Sequence, residues 1–431
     1  MYQGSRALDE ENAAPFGFDA ASIDYVLLTH AHLDHCGRLP LLTKRGFRGE
    51  VITTSATREL TRLVVLDAAY LLEEDVRRRA RRKGHDNAKD HGNAPLYSTL
   101  DALNCLDNFG RTATYSEAFE VTPGVSATFL DAGHILGSAS IFLQLSESGH
   151  STTVLFSGDI GNAGRPLLRG PAPPPHAENV VMETTYGDRL HKPLGPSIDE
   201  LFEAVADTFR RGGNVIIPTF AVERAQELLY FLNEGIRKGR IAESTQVFLD
   251  SPMAISATEI FRRHSECFEP VTAKLFQDGH DPFGLPGLHF TREAAESVAL
   301  NNIRGGAIIM AGSGMCTGGR VRHHLQHNLD RDSSAIVFVG YAAAGTLARQ
   351  IIDGAKQVRI FGEDVLVKAR VYTINGFSAH ADQAELLNWQ RRTSAKRTFL
   401  VHGEQDKMTK FAACLRETHV EMPESNQIFE L

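Results

Sequence analysis

Apolar and polar positions along this chain follow two periods. Short apolar runs bounded by Gly, Ser, Asp or Pro predict strands, and apolar residues spaced three to four apart predict helices. Residues 25–28 (YVLL) read as a buried strand, and residues 55–82 as a long helix. That helix carries Leu60, Leu63, Val64, Ala68, Leu71 and Leu72 as its apolar face. It runs out in the basic and polar stretch RRRARRKGHDNAKDHGN, expected to be a loop. From 126 to 183 the runs SATFLDAG, SIFLQL, TVLFSGD and NVVMET predict strands, whereas PAPPPHAEN is too proline-rich for a regular element.

From about residue 196 the rhythm changes. SIDELFEAVADTFRRGG predicts a capped helix ending at glycine, NVIIP a strand and AVERAQELLYFLNEGIRKG a helix. TQVFLD, GAIIMAG and AIVFVG are three further strands, each followed by a helix-compatible segment, which is the signature of a parallel sheet with crossover helices. ARVYTI, a helix over about 382–392 and RTFLVHG close the chain. The fold class is α/β.

Size and composition add exclusions. A chain of 431 residues favours two or more domains. A hydrophobic fraction of 42% and a charged fraction of 23% are ordinary for a soluble globular protein. The net charge of -8 excludes a protein that coats nucleic acid by global charge, so nucleic-acid binding here needs a local basic groove or metals. Five scattered cysteines without a CxxC pair argue against a disulfide framework and fit a reducing cytoplasm. There is no apolar run long enough for a membrane span and no signal region at the N-terminus.

The candidate chemistry is concentrated in LLTHAHLDHCG, residues 27–37, which puts His30, His32, Asp34 and His35 just after a strand. Residues two apart in extended chain share a side, so His30 and His32 can point together, with Asp34 and His35 on the turn that follows. Imidazole and carboxylate suit Zn²⁺ and related divalent ions. At three or so ligands per catalytic zinc, two ions need about six or seven, so further ligands are expected downstream. His134 in LDAGHILG, Asp159 in LFSGDIG and His402 in TFLVHGE each sit where an apolar strand gives way to a glycine-containing loop. A lone loop histidine is more often a surface or capping residue, and His85, His91, His150 and His419 are read that way.

HAHLDH resembles the HxHxDH signature of the metallo-β-lactamase superfamily, and His134, Asp159 and His402 match its later ligand motifs in order and context. The resemblance implies two Zn²⁺ ions, one on His30, His32 and His134, the second on Asp34, His35 and His402, with Asp159 bridging. Two such ions activate a shared water and clamp the attacking and leaving oxygens of a displacement, which suits phosphodiester hydrolysis. METTYGDRLH, with Glu183, and NGFSAHADQAEL, with His380, resemble motifs of the nucleic-acid-processing β-CASP branch. So do IPTFAVERAQELL, LDSPMA, AGSGMCTGGR and VGYAAAGTLAR. The nearest likeness is to the RNA-processing subgroup, which includes the endonuclease subunit of the cleavage and polyadenylation factor.

That likeness implies an αββα metallo-β-lactamase fold over 1–195, an inserted α/β β-CASP domain over 196–360 and a return segment over 361–431. It places the site in a cleft between the domains, which restricts substrate to a single strand. Its catalytic set is Asp34 on the nucleophile, His380 as general acid and Glu183 orienting the His380 ring. Ser378 and the backbone at Ala379 are expected to bind a substrate phosphate. The activity implied is cytoplasmic endoribonuclease action on single-stranded RNA, a 5′ exonuclease mode and a homodimer being open. The family's first strands and the aspartate that ends them fall upstream of MYQGSR, so the N-terminal strands are expected to be missing.

Two rival readings remain at this stage: a catalytically weakened RNA-binding member, and a small-molecule metallohydrolase. The basic run of Arg77, Arg78, Arg79, Arg81, Arg82 and Lys83 reads as a solvated helix end in preference to a nucleic-acid contact. GSGMCTGG fits neither GxGxxG nor a P-loop and reads as a tight turn.

Overall fold

The structure, a computed structural model, describes residues 1, 11–83, 94–340 and 342–431, the side chains of 81–83 excepted. His85, His91 and most of the MYQGSR segment therefore lie outside the described residues. Contacts divide the chain into two units. Residues 1–164, 169–190 and 380–431 form the first, and residues 165–168 and 191–379 the second.

In chain order the strands are β1 (Tyr25–Leu27), β2 (Glu50–Thr53), β3 (Phe109–Thr112), β4 (Ala118–Thr122), β5 (Val125–Asp131), β6 (Ala139–Glu147), β7 (His150–Phe156) and β8 (Asn179–Glu183). They continue with β9 (Val215–Pro218), β10 (Gln246–Asp250), β11 (Leu288–Phe290), β12 (Ala307–Ala311), β13 (Ala335–Phe338), β14 (Gln357–Ile360), β15 (Glu363–Leu366), β16 (Arg370–Thr373), β17 (Arg397–Val401) and β18 (His419–Glu421).

The first unit holds a parallel sheet β1-β2-β3 and a mixed sheet in the order β18-β17-β8-β7-β6-β5-β4. Their facing sides meet in a core of Ile52, Ala113, Val121, Ala127, Phe129, Ala139 and Ile141. The other face of the mixed sheet is covered by helices Gln383–Thr393 and Gln405–Ala412, through Leu386, Trp389 and Phe411 against Leu155, Val180, Met182 and Leu400. Helix Ser55–Lys83 buries Ala56, Leu60, Val64, Val65, Ala68 and Ala69. Burying a large aliphatic or aromatic side chain contributes about 1.5–3 kcal/mol. This is the αββα arrangement expected.

One residue of the expected helix face is displaced: Leu71 is exposed, because Val65 and Ala69 take the core positions instead. The basic helix end is offset locally, Arg77 pairing with Glu73 and Glu74 and Arg79 with Asp75.

The second unit is built on a six-stranded sheet, β11-β10-β12-β9-β13-β16, parallel throughout. Its central strands are fully buried, which is why they read as unbroken apolar runs. β14 and β15 form a separate hairpin. The helix expected to be capped at 197 begins earlier, at Leu194, and Ser197 sits inside it, donating to the Pro193 carbonyl. The next helix begins at Arg224 because Glu223, at φ 69, breaks the run. β16 pairs with β13, so the chain stays in this unit through Ala379 and returns at His380, later than the 361 expected.

Candidate metal centre

The candidate metal ligands lie in the first unit, on the loops that leave β1, β5, β7 and β17; Glu183 ends β8, and His380 precedes the helix Gln383–Thr393. His30 follows β1 at full burial, and His32 is the N-cap residue of a short helix, Leu33–Cys36, whose first turn carries Asp34 and His35. His134 leaves β5, Asp159 leaves β7 and His402 leaves β17. Close backbone packing sets these loops. A Cβ at Gly161 would overlap the Gly133 carbonyl, and Gly158, at φ 57, turns the chain directly before Asp159. His402 itself has φ 48, an uncommon conformation for a residue other than glycine.

The seven side chains converge in two groups. His30, His32, His134 and Asp159 offer ligand atoms within 4.8 Å of one another, and so do Asp34, His35 and His402. His134 Nε2 lies 3.0 Å from His32 Nδ1, and His402 Nε2 lies 3.3 Å from Asp34 Oδ2. Asp159 faces both groups. Its Oδ2 is 3.4 Å from His30 Nε2, 3.6 Å from His134 Nε2 and 3.4 Å from His35 Nε2, while its Oδ1 is 3.5 Å from His402 Nδ1.

A third group joins Asp159 to Glu183 and His380. Glu183 ends β8 fully buried, and its Oε2 lies 3.1 Å from His380 Nδ1. Its Oε1 accepts from the Ile160 amide at 2.6 Å. His380 Nδ1 is also 4.0 Å from Asp159 Oδ2, and the His134 and His380 rings are 4.4 Å apart. Ser378 and Ala379 directly precede His380 in the chain and belong to the second unit, where the Ser378 carbonyl accepts from Arg165 at 2.8 Å.

Charge is sorted across the site. Burial, followed by the neighbouring His30 ring, pushes His32 down to about 3. Burial also lowers His30 and His134. A neutral imidazole keeps the lone pair that a metal requires. Burial opposes ionisation of Asp159, but His35 and His402 outweigh it and hold the carboxyl well below the usual range. For Asp34 burial is likewise outweighed, by the His402 hydrogen bond and by His35. Burial pulls His402 down, yet Asp159 and the Asp34 hydrogen bond raise it to about 10. At His380 the Glu183 charge and hydrogen bond overcome burial and raise the ring above its ordinary value.

These residues fit a metal centre on their own chemistry. His30 Nε2, His35 Nε2 and Asp159 Oδ1 are buried with no hydrogen-bond partner, a costly arrangement for polar atoms that no cation balances. The donor set is nitrogen and carboxylate oxygen, which suits Zn²⁺. Two supporting groups escape a reading of ligands alone. Thr29 Oγ1 lies 3.2 Å from His30 Nδ1, and Thr185 Oγ1 lies 3.1 Å from His402 Nδ1, each turning the other ring nitrogen toward the ligand cluster. A threonine next to, or two residues beyond, a strand-end ligand or acid was the available signal.

Comparison with known proteins matches three family models along the chain. They are the metallo-beta-lactamase superfamily over residues 3–218, the Beta-Casp domain over 225–351 and the Zn-dependent metallo-hydrolase RNA specificity domain over 364–423. Ribonuclease TTHA0252 of Thermus thermophilus is 40% identical over 409 residues, covering 95% of this chain and 87% of that protein. Transcription termination factor FttA of Methanocaldococcus jannaschii is 33% identical, covering 93% of this chain and 61% of that protein. FttA of Methanosarcina mazei is 34% identical, covering 92% and 61%. The chain thus spans about three fifths of these archaeal relatives.

Proposed function

Because this chain belongs to the metallo-β-lactamase superfamily, in its β-CASP branch, we propose that it is a two-zinc ribonuclease that cleaves single-stranded RNA. The mode is endonucleolytic, with 5′ exonuclease action as a second mode to be tested. The observation that carries this reading is the Asp159 carboxylate, which faces His30, His134 and His35 through one oxygen and His402 through the other. In this reading His30, His32 and His134 would hold one ion and Asp34, His35 and His402 the other, with Asp159 placed to serve both. The ions, when bound, supply Lewis acidity and a nucleophile at neutral pH.

The chain's own groups do the rest. Asp34 stands at the open side of the cluster and orients the attacking water. Hydrolysis of a phosphodiester expels an alkoxide that needs a proton. His380, held cationic by Glu183, donates it. Ser378 and the backbone at Ala379 take a substrate phosphate. A 2′-hydroxyl and unstacked bases distinguish an RNA single strand from its alternatives. The setting is cytoplasmic, and among the described residues no helix is long and apolar enough to cross a membrane. A homodimer is the oligomeric state to test by mass measurement in solution.

The decisive experiment incubates the protein with labelled single-stranded RNA and with a generic ester, with and without chelator, alongside elemental analysis. Chelator-sensitive RNA cleavage with zinc bound is the expected result. Turnover of the ester alone would favour a small-molecule hydrolase, and RNA binding without cleavage would favour a scaffold.

A further inference from the structure

The loop between Glu183 and the second unit carries an aromatic ring for which the two-metal scheme has no use. Tyr186 is half-buried, and its ring centroid lies 6.0 Å from that of His380, the planes inclined at 54°. The loop is tied down on both sides of the ring. The Gly187 amide donates to the Thr184 carbonyl at 3.1 Å. Gln383 donates through its side chain to the Gly187 carbonyl at 2.7 Å and through its backbone to the Arg189 carbonyl at 3.0 Å. Gln383 begins the helix that follows His380, so ring and imidazole are fixed to the same short stretch of chain. On the solvent side, the exposed Arg189 guanidinium lies 5.9 Å from the Tyr186 centroid and is aligned by Asp188.

We propose that Tyr186 is a substrate-positioning residue that stacks the base of the nucleotide departing with the leaving oxygen. The inference rests on the reading of His380 as general acid. A general acid works within about 2.6–3.2 Å of the oxygen it protonates. The sugar of the departing nucleotide therefore lies against His380, and a ring 6.0 Å from that imidazole lies on the same nucleotide's side. Every base presents a π-face, so an aromatic platform there accepts any sequence. A tyrosine pinned by its own loop pays little conformational entropy for the contact. Arg189, beside the ring, is placed to meet the adjoining phosphate.

The test first maps the cleaved bond on a short single-stranded RNA. It then measures kcat and KM for that RNA and for two abasic versions, one lacking the base on the leaving side and one lacking the base on the other side. Tyr186→Leu should raise KM about ten-fold, the lower range for one stacked base, with zinc content unchanged, and Tyr186→Phe should restore the wild-type KM. In the wild-type chain the leaving-side abasic RNA should show the same rise, and Tyr186→Leu should add nothing to it, because both remove one contact. The other abasic RNA should add its effect in full. Unchanged KM in Tyr186→Leu, or additivity on the leaving side, overturns the proposal. Should Tyr186→Leu fail to fold, Tyr186→Phe and the two abasic substrates on the wild-type chain still decide it: equal KM for both abasic RNAs and the intact one overturns it. No cleavage by the wild-type protein overturns the nuclease reading, and this inference with it.

Discussion

Asp159 Oδ1 lies 3.5 Å from His402 Nδ1, which brings together the loops leaving β7 and β17, strands separated in the sheet by β8. The same carboxylate turns its second oxygen to three more imidazoles. An ionised carboxylate that faces four histidine rings has no proton to offer the lone pair of a neutral imidazole, and the unpartnered nitrogens of His30 and His35 record the shortfall. Divalent cations would resolve it. Asp159→Asn should therefore lower zinc from about two per chain to one or fewer, measured by elemental analysis of the dialysed protein. Undiminished zinc would remove Asp159 from the shared position.

In the proposed mechanism the His380–Glu183 pair separates metal binding from proton transfer. His380→Ala should leave zinc content intact and lower kcat for RNA cleavage by roughly 10²–10⁴-fold, the usual contribution of a positioned acid or base. Glu183→Gln should act in the same direction and more weakly, since an amide still bonds Nδ1 but no longer favours the imidazolium. Glutamine is the informative replacement because Glu183 Oε1 also holds the Ile160 amide beside Asp159. Wild-type cleavage by His380→Ala would exclude the general-acid role.

The sequence made some of this legible for definite reasons. β9, β12 and β13 are covered on both faces, so each reads as an unbroken apolar run, and its shortness and flanking Gly, Pro or Ser mark it as a strand. His30, His32, Asp34 and His35 are compressed into one turn after a strand, and no packing role asks for that density of imidazole. Other features depend on tertiary neighbours. Leu71 continues an apolar stripe in sequence yet faces solvent, while Val65 and Ala69 are the buried positions of the helix. Ser197 has the composition of a cap, but the helix already begins at Leu194, after Pro193 in the N-cap position. Thr29 is legible only by its place beside a ligand. Thr185 and Tyr186 gain their relevance from rings that only the folded chain brings near.

Thr185 provides a test of ring orientation. Its hydroxyl engages His402 Nδ1 at 3.1 Å, which leaves Nε2 facing Asp34. Thr185→Val keeps the shape and deletes the hydrogen bond. Affinity for the more weakly held zinc should fall by roughly 10–100-fold, the range found for partners of ligating histidines. Competition against a chromogenic chelator would measure it. Unaltered affinity would mean that the left-handed backbone at His402 alone fixes the ring.

Acid stability of the second unit should depend on Asp250. This residue ends β10 fully buried, its Oδ2 bonded by Ser297 and His324 at 2.6 Å each and its Oδ1 by Arg320 at 2.7 Å. Burial alone would raise its pKa, but these three partners hold it below the ordinary carboxylate value. A carboxyl depressed in the folded state stabilises the fold fully above its unfolded value, about 4. That contribution disappears as pH falls through the folded value. Asp250→Asn should remove the contribution at neutral pH, lowering stability by roughly 3–5 kcal/mol, as expected when one partner of a buried ion pair is lost. Below about pH 4, where Asp250 begins to protonate in the unfolded chain, the gap between the two proteins should narrow. Urea unfolding followed at pH 7 and at pH 3.5 would check both statements, and a gap that widens in acid would show that Asp250 is not the titrating group.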